Sequence, residues 1–151
     1  MQAAVNELQL KGVKCSLLTD AKPRMYYKDQ MQRHLGQASE VCPLVLHLDD
    51  CAYDVAFIQA EDGALTPVFD DWVPSSGGKA IKAVLGAAYK GKVEHWSGNR
   101  AETEQTLHSI GRLLQGYSKY TAIESATADG FIIESCTEDE LGNIQLRLTN
   151  C

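Results

Sequence analysis

The sequence predicts an α+β fold: a mainly antiparallel sheet of five or six strands with about three helices packed on it, in a single domain over residues 1–151. Three observations predict it. Short apolar runs, several with period-two alternation, recur along the chain, as in Pro43–Leu48, Ala52–Ile58 and Ile144–Thr149. Tight-turn signals join several of them, Asp62-Gly63 and Gly142-Asn143 among them, and these are too short for the crossovers that parallel strands need. Segments with helical period interrupt the strands in blocks instead of alternating with each one.

The elements follow in order. Ala3–Lys11 reads as a helix with Ala4, Val5 and Leu8 on one face, and Gly12 is placed to end it in a left-handed cap. Val13–Thr19 reads as a strand, broken by Asp20-Ala21-Lys22-Pro23. Arg24–His34 shows aromatics and methionines without a clean period and reads as a ragged helix or an irregular arm. Pro43–Leu48 reads as a buried strand, Asp49-Asp50-Cys51 as a turn, and Ala52–Ile58 as the next strand. On that strand alternation puts Tyr53, Val55 and Phe57 on one face and Asp54, Ala56 and Ile58 on the other. Asp62-Gly63 predicts a type I′ hairpin turn, and Pro67 assigns the returning strand Ala64–Phe69 to an edge or a bulge. Ser75 or Ser76 is expected to cap a helix over Lys79–Tyr89, with Ile81, Val84, Leu85 and Ala88 inward. The longest helix is expected from near Ala101 to Asp129-Gly130, with a kink near Gly116. Phe131–Cys136 and Ile144–Thr149 close the chain as a hairpin.

Composition restricts the function classes. A chain of 151 residues with 44% hydrophobic and 23% charged residues has the make-up of a globular domain. The formal charge of −6 gives no excess of cations to neutralise phosphates, so nucleic acid is an unexpected partner. No apolar run approaches the ~20 residues that span a bilayer, and residues 1–7 lack the pattern of a secretory signal. Five cysteines with no Cys-x-x-Cys spacing point to a reducing compartment, so a cytoplasmic protein away from membranes is expected.

Tyr53-Asp54-Val55-Ala56-Phe57, then Asp62-Gly63, then Asp71-Trp72 is similar to the middle of the chloroplast hypothetical reading frame thirty-five family, a plastid and cyanobacterial domain of unknown function. Leu114-Gln115-Gly116-Tyr117, Gly130-Phe131 and Gly142–Arg147 resemble that family's closing helix and hairpin. The likeness spans residues 44–149. It departs where the family opens with a strand before its first helix, where Val73 replaces a second tryptophan, and at the added stretch Gly91–Ala101. The resemblance implies the fold and a cytoplasmic, plastid-stromal or, for a viral homologue, host-cytoplasmic location. It supplies no reaction. The missing strand implies a sheet with one strand fewer, or an edge left for a partner.

Two clusters carry candidate function. Asp70, Asp71 and Trp72 pair an aromatic with carboxylates and form the candidate protein-binding surface. His47, Asp49, Cys51 and Asp54 bring potential ligand or metal donors together, and alternation puts His47 and Asp49 on one face. Cys51 with His47 or His95 is the candidate pair for thiol chemistry, against which stands the usual inert, buried cysteine. Ser75–Lys79 fails the phosphate-loop pattern, leaving a weak anion site at the helix start. Lys22, Arg24, Lys28 and Arg33, with Tyr26 and Tyr27, form the candidate basic stripe for nucleic acid. The leading expectation is an accessory or interaction protein that binds a protein partner or itself, with no catalytic residue and no cofactor. A small-molecule binder or weak enzyme at His47–Asp54 is the alternative, and a nucleic-acid binder through Arg24–Arg33 the third.

Overall fold

The computed structural model describes residues 1–25, 41–59, 62–70, 72–73, 75, 77–89, 106–139 and 143–150. Its elements are α1 (Gln2–Leu10), β1 (Cys15–Ala21), β2 (Cys42–Leu48), β3 (Val55–Gln59), β4 (Leu65–Val68), α2 (Ile81–Leu85), β5 (Ala87–Tyr89), β6 (Thr106–His108), α3 (Gly111–Ala128), β7 (Phe131–Glu138) and β8 (Ile144–Asn150). The fold is α+β, with antiparallel pairing between every pair of neighbouring strands. The strands divide into one four-stranded sheet, β1-β2-β3-β4, and two two-stranded ones, β5-β6 and β7-β8. The chain forms two compact units, Leu8–Val84 and Met1–Glu7 with Leu85–Cys151.

In the first unit α1 ends as expected. Gly12 has φ 84°, its N–H donates to Gln9 O, and Val13 N–H donates to Leu8 O at 2.9 Å. Only glycine takes that φ without a steric penalty. Register then sorts the sheet. Val45 pairs with Ala56 and Ala56 with Val68, which puts these three on one face. There they form a cluster with Ile58, Cys42 and Met25, the last from the segment that follows β1. Leu46, Leu48, Val55 and Phe57 fall on the other face and are also buried. Four consecutive residues of β3 are thus buried, where a half-exposed strand would have alternated.

Two prolines lie where the ladders tolerate them. Pro67 is on the edge strand β4, as expected. Pro43 lies on inner strand β2, but ladder pairing with β3 stops at Leu44. Opposite Pro43 on β1 is Asp20, the single described non-glycine residue with positive φ, 47°; aspartate is among the residues that visit this region most readily.

The β3–β4 turn corrects the type I′ reading. Gln59 pairs with Leu65, so five residues connect the strands. Gly63 has φ 83°, while Asp62 is not left-handed and instead accepts the Ala64 N–H on Oδ1 at 2.9 Å, an Asx turn. Type I′ requires both central residues to have positive φ.

The helix expected over Lys79–Tyr89 is shorter. Lys79 N–H donates to Asp50 O at 2.8 Å and bridges Cys51, so the chain is held extended there and α2 starts at Ile81. Gly78, φ 100°, fits against Ala52, whose N is 2.9 Å from the place of a Cβ. Ala88, read as a helix residue, belongs to β5.

In the second unit Leu85, Ile110 and Leu113 are buried. The long helix begins at Gly111, not near Ala101, because Thr106–His108 pairs with Ala87–Tyr89 as a strand. It then runs unbroken through Gly116 to Ala128. Asp129 N–H donates to Ser125 O and Gly130, φ 86°, ends the helix. The two glycines are close-approach sites: a Cβ on Gly111 would lie 2.7 Å from Ala87 Cβ, and one on Gly116 3.3 Å from Ala4 Cβ. An ion pair joins Lys119 to Glu7. The β7–β8 hairpin carries a register shift between Ile133 and Ser135, where Glu134 is the extra residue and pairs with Arg147 at 3.0 Å.

Helix propensity alone favours Gly111→Ala by up to about 1 kcal/mol. The contact with Ala87 reverses the sign. Gly111→Ala is expected to lower stability by about 1–3 kcal/mol, read as a lower urea midpoint at unchanged slope. A midpoint at or above the parent value would refute the close approach.

Candidate functional site

The site is built around one carboxylate. Asp54 immediately precedes β3, and its side chain is 2% exposed. An ionised carboxylate at that depth is costly unless donors surround it. Both oxygens are supplied. Oδ1 accepts from Arg24 Nη2 at 2.7 Å, Arg24 Nε at 3.1 Å and Leu48 N–H at 3.4 Å. Oδ2 accepts from the Arg24 backbone N–H at 2.8 Å and shares Nε at 3.2 Å. Arg24 also donates Nη2 to Leu48 O at 2.7 Å, and its own carbonyl accepts Asp54 N–H at 3.0 Å. Arg24 is thus tied to the start of β3 and the end of β2 by both backbone and side chain.

His47 joins from β2. The β2–β3 register, Val45 with Ala56 and Leu46 with Val55, sets His47 across from Asp54. Its Nδ1 lies 3.1 Å from Asp54 Oδ1, and its Nε2 lies 3.5 Å from Asp49 Oδ1. The structure therefore brings together His47, Asp49 and Asp54, with the imidazole one-third exposed and Asp49 more so. Asp50, next in line, turns to Lys79 at 3.0 Å with Lys14 at 3.9 Å. The hydrogen bond from Lys79, then the charges of Lys79 and Lys14, hold its carboxyl below the usual range.

Cys51 lies beside this cluster but is 3% exposed. Burial is the main cause that pushes its thiol up to about 11; Arg24 and Lys79 pull it down, while Asp50 and Asp54 push it further up. Nucleophilic chemistry needs the thiolate, and at neutral pH Cys51 is a protonated thiol. Cys15 and Cys42 are raised by burial too, with Asp49 adding to the effect at Cys15. Cys136, on β7, is exposed. His95, the other proposed base, lies outside the described residues.

The protein-binding candidates separate. Asp70 is buried, 9% exposed, so it does not form part of an acidic surface. Asp71 lies outside the described residues. Trp72 is 41% exposed and Val73, in the loop beside it, 49%. The Trp72 ring lies 5.9 Å from that of Tyr53, tilted by 36°. The aromatic half of the expectation is thus on the surface and buttressed, while its described carboxylate is inside.

The remaining candidates are reduced by what their groups already do. Lys79 N–H, proposed as part of a weak anion site, is committed to Asp50 O. Arg24, proposed for a basic stripe, gives its guanidinium to Asp54 and Leu48; Lys28 and Arg33, with Tyr26 and Tyr27, lie outside the described residues. No described buried side-chain N or O lacks a hydrogen-bond partner. Among the described residues no helix is long and apolar enough to cross a membrane. Comparison of the chain with protein-family models, curated proteins and solved structures finds no match.

Sequence reasoning missed Arg24 as the partner of Asp54. The two are 30 residues apart and no local signal joins them. His47 opposite Asp54 was available from pairing β2 with β3 about the Asp49–Tyr53 connection, once a register was fixed.

Two predictions follow from this geometry. Asp54→Ala strips Arg24 of its partner and leaves the Leu48 N–H with no acceptor from that carboxylate. Breaking a fully buried pair costs about 3–5 kcal/mol; because the Arg24 side chain is 40% exposed and keeps water, about 2–4 kcal/mol is expected, measured by denaturant unfolding. A loss below about 1 kcal/mol, the size of a surface pair, would show that the cluster is not built as described. For the thiols, the unfolded chain gives up the Cys51 proton before the folded one does. Stability is therefore full below the ordinary thiol range and falls as pH rises from there to about 11. At pH 8, iodoacetamide should label Cys136 well before Cys15, Cys42 and Cys51, read by peptide mass spectrometry.

Proposed function

We propose that this protein is an accessory interaction domain that binds a protein partner through the face around Trp72 and performs no catalysis. One observation carries the reading: Trp72 and Val73 stand together half-exposed, with Tyr53 behind the indole. Tryptophan loses little conformational entropy on docking and is enriched among residues that dominate binding energy. The buttress fixes the ring before a partner arrives. With a net charge of −6, the chain suits a partner whose apolar contact is rimmed by basic side chains. The muted thiols and the saturated carboxylate of Asp54 support the non-catalytic part. A kinship with the plastid and cyanobacterial family, and a cytoplasmic or stromal location, belong to the same proposal and rest on the motifs quoted above.

Self-association is the second reading, favoured by the β7–β8 hairpin. Ile132 is 52% exposed, Leu148 41% and Phe131 38%, on a two-stranded sheet. An isolated pair of strands is marginal in water and gains from further cover.

Trp72→Ala and Ile132→Glu separate the readings. With Trp72→Ala, capture of a defined partner should fall at least about tenfold, the equivalent of 1.4 kcal/mol, at unchanged melting temperature. Equal capture by parent and variant would remove that face. Sedimentation velocity of the parent and of Ile132→Glu decides the second reading. A parent dimer that Ile132→Glu dissociates supports it, and a parent monomer at ~100 μM, where a Kd of ~1 mM or tighter would show, removes it.

A further inference from the structure

The phase of the ladder on β1 leaves one edge of the four-stranded sheet open. Asp49 N–H donates to Lys14 O at 3.0 Å, and the β1–β2 register continues from that pair. Hydrogen-bonded and non-bonded pairs alternate in an antiparallel ladder, so Ser16, Leu18 and Asp20 turn their backbone groups toward β2. Cys15, Leu17, Thr19 and Ala21 turn theirs outward. The side-chain amide of Gln9 confirms this phase by donating to the outward Cys15 O at 2.8 Å. Among the described residues no strand pairs with that side of β1, and Leu18, Thr19 and Asp20 are exposed. The opposite edge is defended. β4 has four residues, the same alternation makes Pro67 face outward, and proline offers no N–H to a new strand. β1 has seven residues, no proline or lysine, and a single charge at Asp20, near its end.

We propose that β1 pairs antiparallel with β1 of a second copy of this chain, about a two-fold axis at Leu18, so that the two four-stranded sheets become one continuous sheet. A row of side chains selects this occupant. Register aligns Val68, Ala56, Val45 and Leu18 across β4, β3, β2 and β1. The first three belong to or pack on a buried apolar cluster, whereas Leu18, at the end of the row, is 41% exposed. A second copy continues the row with its own Leu18 and then its own Val45. The register follows from the same groups. With Leu18 on the axis, Leu17 of each copy exchanges N–H···O=C bonds with Thr19 of the other, all from outward-facing groups. Leu18 meets Leu18 at a non-hydrogen-bonded position, where side chains approach most closely. Ser16 then faces Asp20, hydroxyl to carboxylate. An axis at Leu17 would require Cys15 O to accept Thr19 N–H, where Gln9 is already bound. An axis at Thr19 would set Asp20 against Leu18. The contact is small, so the dimer belongs with weak, reversible associations.

The test compares the intact chain at ~10 μM and at ~1 mM, a range over which a weak pair passes from monomer to dimer, by sedimentation velocity and by amide hydrogen exchange in NMR. A dimer is expected at the higher concentration. The Leu17 and Thr19 amides should exchange several-fold more slowly there than in dilute protein, whereas the Ser16 and Leu18 amides, already bonded to β2, stay protected at both. Thr19→Pro removes an outward N–H that the β1–β2 ladder does not use, and Leu18→Lys puts a charge on the axis. Each should weaken the dimer at least about tenfold, while the dilute variants melt with the parent. If Thr19→Pro fails to fold, Leu18→Lys and the exchange pattern of the parent still decide. Ile132→Glu, on β7, should leave this dimer intact, which separates it from self-association through the β7–β8 hairpin. The proposal is overturned by a parent that stays monomeric at ~1 mM, by Leu17 and Thr19 amides as protected in dilute protein as in concentrated, or by a dimer that Leu18→Lys leaves unchanged.

Discussion

The buried carboxylate of Asp54 is the constraint from which the first unit is organised. A charge with 2% exposure is stable only when its donors are in place. Those donors come from two stretches of chain, Arg24 after β1 and Leu48 at the end of β2, where His47 also approaches, and the carboxylate itself stands at the entry to β3. Satisfying the carboxylate therefore fixes where β2 stops, where β3 starts and how the chain leaves β1. Arg24 is suited to this because its planar fork offers two parallel donors and its charge survives partial burial. Lysine would offer a single point of contact. Once Arg24 is held, Met25 is delivered to the apolar cluster over Val45, Ala56 and Ile58. A polar anchor thus places an apolar plug, and the two stabilise the same end of the sheet.

The same saturation decides what chemistry is left over. An acid whose oxygens accept from a guanidinium and two backbone amides has no capacity to act as a base. The thiols nearest the cluster are pushed up by burial. Groups that read as reactive in the sequence are thus spent on structure, and the side chains that reach the surface are His47, one-third exposed, Asp49 and Trp72.

Local order was legible in the sequence wherever a short-range rule governed it. Gly12 and Gly130 end helices because each takes a φ that other residues avoid. Pro67 marks an edge strand, and the alternation in Ile144–Leu148 marks a strand that pairs across a turn. Illegibility began where a distant partner decided. Ser75 and Ser76 look like caps, but Lys79 is held extended by Asp50, so the helix waits for Ile81. Thr106–His108 sits in an apparently helical run and is a strand because Ala87–Tyr89 pairs with it. Val55–Ile58 alternates in name only, since the residues on both faces are buried. At the site, His47 with Asp49 followed from alternation; Arg24 with Asp54 did not, because an ion pair across 30 residues leaves no periodic trace.

One link joins the anchor to the exterior. Tyr53 immediately precedes Asp54, whose N–H is bonded to Arg24 O. The Tyr53 backbone is therefore fixed at one end by the same set of bonds that neutralises the carboxylate. Its ring meets Trp72, which follows β4, the strand paired to β3 through Gln59–Leu65 and Ala56–Val68. Trp72 is thus braced by the aromatic contact with Tyr53. An exposed indole without such support would sample many rotamers and forfeit affinity to their loss. The bonds that hold the buried charge cluster thus also fix the backbone beside the ring on which the exposed Trp72 packs.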